Sequence, residues 1–167
     1  FTFGAENKAN QYLHLAEVRL AEYQKMIEKG KSEIAEKTLE KYERQLNQAL
    51  EKADQAKKKG KDVAKLKEAI SEKILKHQEV LEGILEKVPE EAKKGIENAI
   101  EASKKGSETA IQAVTGAKKE ELQKKAKEIK VKLETVDWKT YKNEEYGFEI
   151  KYPKEWQVIS QKYDPLS

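Results

Sequence analysis

Apolar residues recur at alternating steps of three and four from Leu13 to Val114, and lysine or glutamate fills most positions between them. This spacing places the apolar side chains on one face of an α-helix. Glycine or proline divides the pattern into four stretches, at Gly30, Gly60 and Pro89. The sequence therefore predicts four long amphipathic helices that pack their apolar faces together as an antiparallel bundle.

The predicted helices cover about residues 6–28, 32–58, 62–88 and 89–114. The third carries the longest apolar stripe, formed by Val63, Leu66, Ile70, Ile74, His77, Leu81, Ile84 and Val88. We expect the centre of the core to be built from Leu66, Ile70, Ile74, Leu81 and Ile84.

The chain changes character twice after the predicted bundle. Beyond Gly116 a heavily charged stretch keeps only a thin stripe, Leu122, Ala126, Ile129 and Leu133, which predicts a separate or kinked helix. Near Val136 aromatic residues appear. We predict a mainly α fold with three parts: an antiparallel bundle over 1–116, a charged helical stem over 117–136, and a short β-hairpin element over 137–167 that begins a second domain.

The predicted β element contains both tryptophans of the chain. Tyr146, Phe148, Ile150 and Tyr152 alternate with polar residues or glycine, as in a half-buried strand. Two short strands are not stable alone. We therefore expect the rings of this element to be buried against the helices or a second copy of the chain. Core packing is the ordinary explanation for these rings, and an interaction surface is the alternative, formed by Trp138, Tyr146, Phe148 and Trp156.

Charge and composition exclude several classes of function. The 34 basic and 31 acidic residues are mixed along the chain and leave a net charge of +3. Such mixing gives little long-range field, and no aromatic residue lies between Tyr42 and Trp138, so we expect no nucleic-acid binding. No apolar run approaches the roughly 20 residues of a membrane span. The enrichment in lysine and glutamate suits a thermophile or an AT-rich genome.

The residues that could perform chemistry are few. Cysteine is absent, and the two histidines are His14 and His77. A di-iron bundle needs Glu three residues before each histidine, whereas Gln11 and Ile74 stand there. We expect His77 to be a packing residue, and we expect no catalytic, metal or cofactor site and no enzymatic activity. Arg19, one of two arginines, is expected to pair with a glutamate on a neighbouring helix.

Two segments resemble known bacterial proteins. Leu15–Tyr23 reads LAEVRLAEY, and with the helices that follow it resembles a bacterial helical domain family of unknown function over about residues 1–115. Residues 141–156 read YKNEEYGFEIKYPKEW and look like the opening of the PsbP-like β domains of bacterial lipoproteins. Both resemblances imply an extracytoplasmic protein, either periplasmic, secreted or surface-anchored. Because the chain begins at Phe1 and not at methionine, we expect a preceding part to be missing from it: a signal peptide, a membrane anchor, or simply a part of the protein outside this sequence. We expect membrane attachment only through such a missing segment.

These observations predict a non-enzymatic extracytoplasmic module that holds or spaces a protein partner, or that associates with itself. The alternative is a periplasmic chaperone-like or stress-sensing helical protein that binds clients on an exposed apolar face. A contiguous apolar patch on the bundle distinguishes the second function from the first.

Overall fold

The computed structural model describes residues 4–135, 138–153 and 155–157, with side chains except those of residues 32–34 and 130–135. Five helices and two strands follow one another in these ranges: α1 (Ala5–Glu28), α2 (Ser32–Lys58), α3 (Ala64–Leu85), α4 (Glu90–Gln112), α5 (Gly116–Thr135), β1 (Lys139–Asn143) and β2 (Phe148–Tyr152). The predicted fold class is confirmed: the chain is mainly α, with antiparallel helices and a short β-hairpin near the C-terminus.

The chain forms two compact units, Phe1–Lys130 and Val131–Ser167. The division falls inside α5, so most of the predicted stem belongs to the helical unit. Within that unit the side chains of Leu122 and Ile129 are buried. Leu133, the last member of the predicted stripe, lies outside the described side chains.

The four long helices form two hairpins. Short links reverse the chain after α1 and after α3, and a positive φ of 69° at Gly30 allows the first turn. α1 packs mainly on α2, and α3 mainly on α4. The hairpins then stack so that α1 lies beside α3 and α2 beside α4, whereas α2 and α3 lie diagonally opposite.

Neighbouring helices from different hairpins run parallel. On α1 and α3, Glu17 pairs with Lys73, and further along both helices Ile27 and Ile84 line one groove. On α2 and α4, Leu39 approaches Gly95, and Leu50 approaches Gly106. A Cβ added to Gly106 would stand 3.1 Å from Leu50 Cδ1, so the glycine allows the two helices to come close.

α5 lies along α3 and runs parallel to it. Lys118 Nζ is 2.7 Å from Glu72 Oε1, and Lys125 Nζ is 3.8 Å from Glu79 Oε1. The two lysines are seven residues apart in α5, and the two glutamates are seven residues apart in α3. Seven residues correspond to about two helical turns. Hydrogen bonds to Glu72 and Glu121 raise the pKa of Lys118 above its usual range. The charged face of α5 is therefore matched to α3.

The five residues predicted for the centre of the core are buried with one correction. Ile70, Ile74, Leu81 and Ile84 are buried, but Leu66 is only half-buried. Lys67 takes a core position instead, with 2% of its surface exposed. A lysine can occupy this position because its aliphatic stem packs in the core while its ammonium group reaches a carboxylate on α2.

Removing residues 138–167 should leave the helical unit folded. The compact unit that contains α1 to α4 ends at Lys130, so the deletion removes none of its buried residues. We expect a chain ending at residue 137 to keep a single cooperative loss of helical circular dichroism on heating. Loss of the helical signal at ambient temperature would instead make the hairpin part of the core.

Candidate functional site

The hairpin and the residues just before and after it contain the four aromatic residues that the sequence suggested as an interaction surface. β1 and β2 pair antiparallel, with Tyr141 opposite Ile150 and Lys142 opposite Glu149. The turn is closed by Asn143, whose carbonyl accepts from Gly147 N at 2.9 Å and whose side-chain oxygen accepts from Tyr146 N at 2.9 Å. Gly147 has a φ of 66°, a value that side chains other than glycine rarely adopt.

The register gives the hairpin one apolar and one polar face. Directly opposed residues of an antiparallel pair point to the same side. The face that we call apolar contains Tyr141, Phe148, Ile150 and Tyr152, together with Lys139 opposite Tyr152 and Asn143 opposite Phe148. The polar face contains Thr140, Lys142, Glu149 and Lys151. Tyr141 and Phe148 are in contact across the strands, with ring centroids 6.3 Å apart, and Lys142 Nζ lies 3.2 Å from Glu149 Oε2.

Within a single chain these aromatic rings are largely exposed, whereas their burial against a second copy of the chain stays a prediction. Phe148 is 43% exposed, Trp156 is 66% exposed and Tyr146 is 73% exposed. Trp138 precedes β1 and is 39% exposed, Tyr146 lies in the turn rather than in a strand, and Trp156 follows the turn at Pro153. Of these four rings, Phe148 alone has a ring contact among the described residues.

Ile150 and Tyr141 belong to the same surface, although the sequence did not single them out as site residues. Ile150 is 53% exposed and stands between Phe148 and Tyr152 on the apolar face. Strand alternation placed Ile150 on one side with Phe148, but the register that brings Tyr141 opposite it depends on the turn length. The apolar face is therefore larger than the predicted set of residues on the strands.

The tryptophans give a direct measure of this exposure, because both lie beside the hairpin. We expect acrylamide to quench the tryptophan emission strongly. Most of this quenching should come from Trp156, because it is more exposed than Trp138. Trp156→Phe should shift the emission maximum to the blue and reduce quenching, and Trp138→Phe should do the opposite. Equal spectra for the two variants would contradict the exposures described here.

A second group of polar side chains lies inside the bundle. The Tyr42 hydroxyl on α2 is 3.4 Å from His77 Nδ1 on α3, and the two rings meet edge to face with centroids 5.6 Å apart. Gln78 Nε2 donates to Ser107 Oγ at 3.0 Å, which joins α3 to α4. The Nε2 atom of His77 is buried without a hydrogen-bond partner in the described part of the protein.

Burial keeps this interior group neutral. It lowers the pKa of His77 to about 4; Glu17 opposes this shift and Lys73 adds to it. Burial also raises the pKa of Tyr42 well above its usual range, and a hydrogen bond between Tyr42 and Ser103 opposes this shift. Partial burial alone would raise the pKa of Glu17, but the hydrogen bond and charge of Lys73 lower it. His77 is thus a neutral packing residue at physiological pH.

The remaining sequence candidates contact glutamates on their own helix. Arg19 Nη1 is 2.6 Å from Glu22 Oε2 on the same helix, so the expected partner on a neighbouring helix is wrong. His14 is exposed, and its Nδ1 lies 3.8 Å from Glu17 Oε2. Over residues 4–135, 138–153 and 155–157, no group of three histidine, cysteine, aspartate or glutamate side chains is arranged to hold a metal ion.

Lys67 is held by a carboxylate at the edge of the core. Its Nζ lies 2.6 Å from Asp54 Oδ1, and the Asp54 side chain is half exposed. Asp54→Ala leaves the ammonium without this partner, so we expect a loss of about 1–3 kcal/mol in urea denaturation. Lys67→Met in the Asp54→Ala background should recover most of it, because an apolar side chain of similar length needs no partner. An Asp54→Ala variant as stable as the parent would contradict this pairing.

Two surface grooves of roughly 370 Å³ lie between parallel helices. The groove between α1 and α3 has an apolar floor that includes Ile27, Val80 and Ile84, with glutamates and a lysine at its rim. Most residues that line the groove between α2 and α4 are polar, and its lining is Asn47, Leu50, Asn98, Glu101, Ala102, Lys105, Gly106 and Thr109. Neither lining contains a histidine.

Comparison with known protein families matches residues 1–91 to a domain of unknown function, DUF5667. The match covers more than half of the chain. The chain belongs to the DUF5667 family. In this DUF5667 protein the matched part contains α1, α2 and α3 and ends in the first turn of α4, so the helix that completes the bundle lies almost entirely beyond it.

No curated protein and no solved structure matches this DUF5667 chain. None of the described helices is both long enough and apolar enough to cross a membrane.

Proposed function

We propose that this DUF5667 protein is a non-enzymatic extracytoplasmic interaction module whose β-hairpin binds a protein partner. One observation carries the proposal: the apolar face of the hairpin exposes Phe148 by 43% and Ile150 by 53%. Trp156 and Tyr146, beside this face in sequence, are more exposed still.

Aromatic side chains are the residues that most often dominate binding at protein interfaces. They supply a large contact area and have few rotatable bonds. Burying one such ring contributes about 1.5–3 kcal/mol. The rings of the hairpin can therefore contribute several such terms to the free energy of binding. The lysines and the glutamate of the opposite face keep that side of the hairpin in water.

The helical unit supports a structural rather than a chemical role. Two of its buried polar pairs bond across helices, Gln78 to Ser107 and Tyr42 to His77, and so tie α3 to α4 and to α2. An extracytoplasmic setting is supported by the resemblance of residues 141–156 to the β domains of bacterial lipoproteins.

The chaperone-like alternative needs a broad apolar surface on the bundle. Val18 and Val80 are the large apolar side chains that the described part of the bundle exposes, by 36% and 38%. Single exposed residues of this kind are ordinary on protein surfaces. The distribution of apolar surface therefore favours the hairpin as the binding element.

Site-specific photo-crosslinking in the native host tests the proposal. A photoreactive residue replaces Ile150 on the apolar face or, as a matched control, Thr140 on the polar face of the same hairpin. We expect a discrete adduct at position 150 and little at position 140. The partner identified in the adduct is then purified, and Phe148→Ser should weaken its binding by roughly 30-fold. Equal crosslinking at the two positions, or unchanged affinity, would refute the proposal.

A further inference from the structure

The outer edge of β2 has a pattern that can pair with itself. Among the described residues β2 pairs with β1 alone, as one half of a two-stranded sheet. β2 reads Phe-Glu-Ile-Lys-Tyr, with an aromatic residue at each end and opposite charges on either side of Ile150. If a second β2 strand lies antiparallel to the first and the two Ile150 residues are opposite each other, each aromatic residue is opposite an aromatic residue. Each glutamate is then opposite a lysine.

We propose that two copies of the chain pair antiparallel through the outer edges of their β2 strands, centred on Ile150. In this register Phe148 faces Tyr152 of the second copy, Glu149 faces Lys151 of the second copy, and Ile150 faces its own counterpart. The contact is symmetric, as expected of a two-fold dimer. It joins two hairpins into a four-stranded antiparallel sheet.

Charge selects this register over its neighbours. Moving the strands by two residues in one direction sets Glu149 against Glu149 of the second copy, and in the other direction it sets Lys151 against Lys151. Like charges directly opposite each other are unfavourable, and opposite charges are favourable. A shift of one residue turns the apolar side chains of one copy to the polar face of the other.

The existing contacts of Glu149 extend into the proposed contact. Glu149 already lies 3.2 Å from Lys142 on β1, and both side chains are on the polar face. Lys151 of the second copy approaches Glu149 from its other side, which gives a row of alternating charges across the strands. The described charges of β1 are Lys139 and Lys142, so that edge has no acidic residue to complement a second copy.

The apolar faces also become continuous. Phe148, Ile150 and Tyr152 of each copy lie on the same side of the combined sheet, because opposed residues share a face. A lysine on an edge strand normally discourages pairing between chains. Here the glutamate two residues before Lys151 removes that protection for one partner, a second copy of this chain.

Charge reversal on the full chain tests the proposal, with the association measured by sedimentation equilibrium at low salt. The unaltered chain should dimerise. Lys151→Glu sets glutamate against glutamate in both symmetric positions and should raise the dissociation constant at least about tenfold. Lys142→Glu combined with Glu149→Lys keeps the opposite charges within the hairpin but sets lysine against lysine between copies, and should weaken association similarly.

Mixing the two weakened variants should restore association, because positions 149 and 151 are then both acidic in one chain and both basic in the other. The triple variant Lys142→Glu, Glu149→Lys, Lys151→Glu should dimerise like the unaltered chain. Circular dichroism and tryptophan emission check that each variant keeps its fold. A monomeric unaltered chain would overturn the proposal, and so would a dimer indifferent to these changes.

This inference goes beyond the proposed function, since it names a second copy of the chain as the partner of the β2 edge. The altered side chains lie on the polar face, away from Phe148 and Ile150. Because Ile150 faces its own counterpart in the proposed dimer, an adduct at position 150 between two copies of the chain reports self-pairing, whereas an adduct with a different protein reports the proposed function. A failure of self-pairing therefore leaves the adduct with a different protein as a separate result, and the absence of such an adduct leaves the charge-reversal experiment unaffected.

Discussion

Leu81→Ala is expected to lower the free energy of unfolding by about 2–5 kcal/mol. Leu81 is fully buried in α3, the helix that packs on α4 within its own hairpin and on α1 of the other hairpin. Removing the three carbons beyond Cβ loses their transfer free energy and leaves a cavity that the surrounding helices fill only in part. The measurement is urea denaturation followed by helical circular dichroism.

Val80→Ala is the matched control, because it removes apolar atoms from the adjacent residue of the same helix. Val80 is 38% exposed, and alanine has the higher helix propensity, so the control should change stability by less than about 0.5 kcal/mol. A loss at Leu81 no larger than that of the control would show that α3 does not face the core in the orientation described.

Lowering the pH from neutral to about 4 should destabilise the bundle by about 3 kcal/mol through His77 alone. The pKa of His77 falls from an ordinary 6.5 to about 4 in the folded protein. Between these two pH values His77 binds a proton in the unfolded chain but not in the folded chain. The free energy of unfolding therefore decreases as the pH falls. Below the folded pKa both states are protonated, and this group causes no further loss.

Urea denaturation at about pH 7.5 and about pH 5 measures most of this effect, roughly 2 kcal/mol. His77→Gln provides the comparison, since glutamine does not titrate and the variant keeps every other ionisable group. The pKa of Glu17 is lowered, so its contribution to the stability of the folded protein is lost only at more acidic pH. The pKa of Glu43 is raised, so its protonation favours the folded protein and opposes the loss. The same pH dependence in both proteins would exclude a buried neutral His77.

Local sequence features were sufficient to predict the helices. The α2 boundaries agree with those expected, and the apolar stripes of α1 and α3 are buried apart from half-buried residues such as Leu66. These features depend on residues within one or two turns of each other. Spacing determines which face of a helix is apolar, and Gly30 and Gly60 determine where the chain turns.

Contacts between distant residues were not predictable in the same way. Lys67 is a core residue only because Asp54 on α2 lies within reach of its ammonium group. Lys125, which has Glu121 one turn before it, pairs instead with Glu79 on α3. Nothing within α5 or α3 distinguishes these partners, since glutamate and lysine occur at many equivalent positions.

The hairpin shows the same limit at its surface. Alternation of aromatic and polar residues predicted strands and an apolar side, which the register confirms. It did not predict that Phe148 and Ile150 would remain exposed, because exposure depends on what packs against the face and not on the strand itself. Tyr146, included by alternation alone, belongs to the turn.

The diagonal connection between α2 and α3 has a consequence for the order of folding. Contacts within each hairpin join residues close in the chain, so closing those loops costs little entropy. Contacts between the hairpins are distant: Glu17 and Lys73 are 56 residues apart. Proteins form such separated contacts more slowly than local ones. The two hairpins are thus suited to form early and independently, with their docking, including the close approach of α4 to α2 at Gly106, as the slower event.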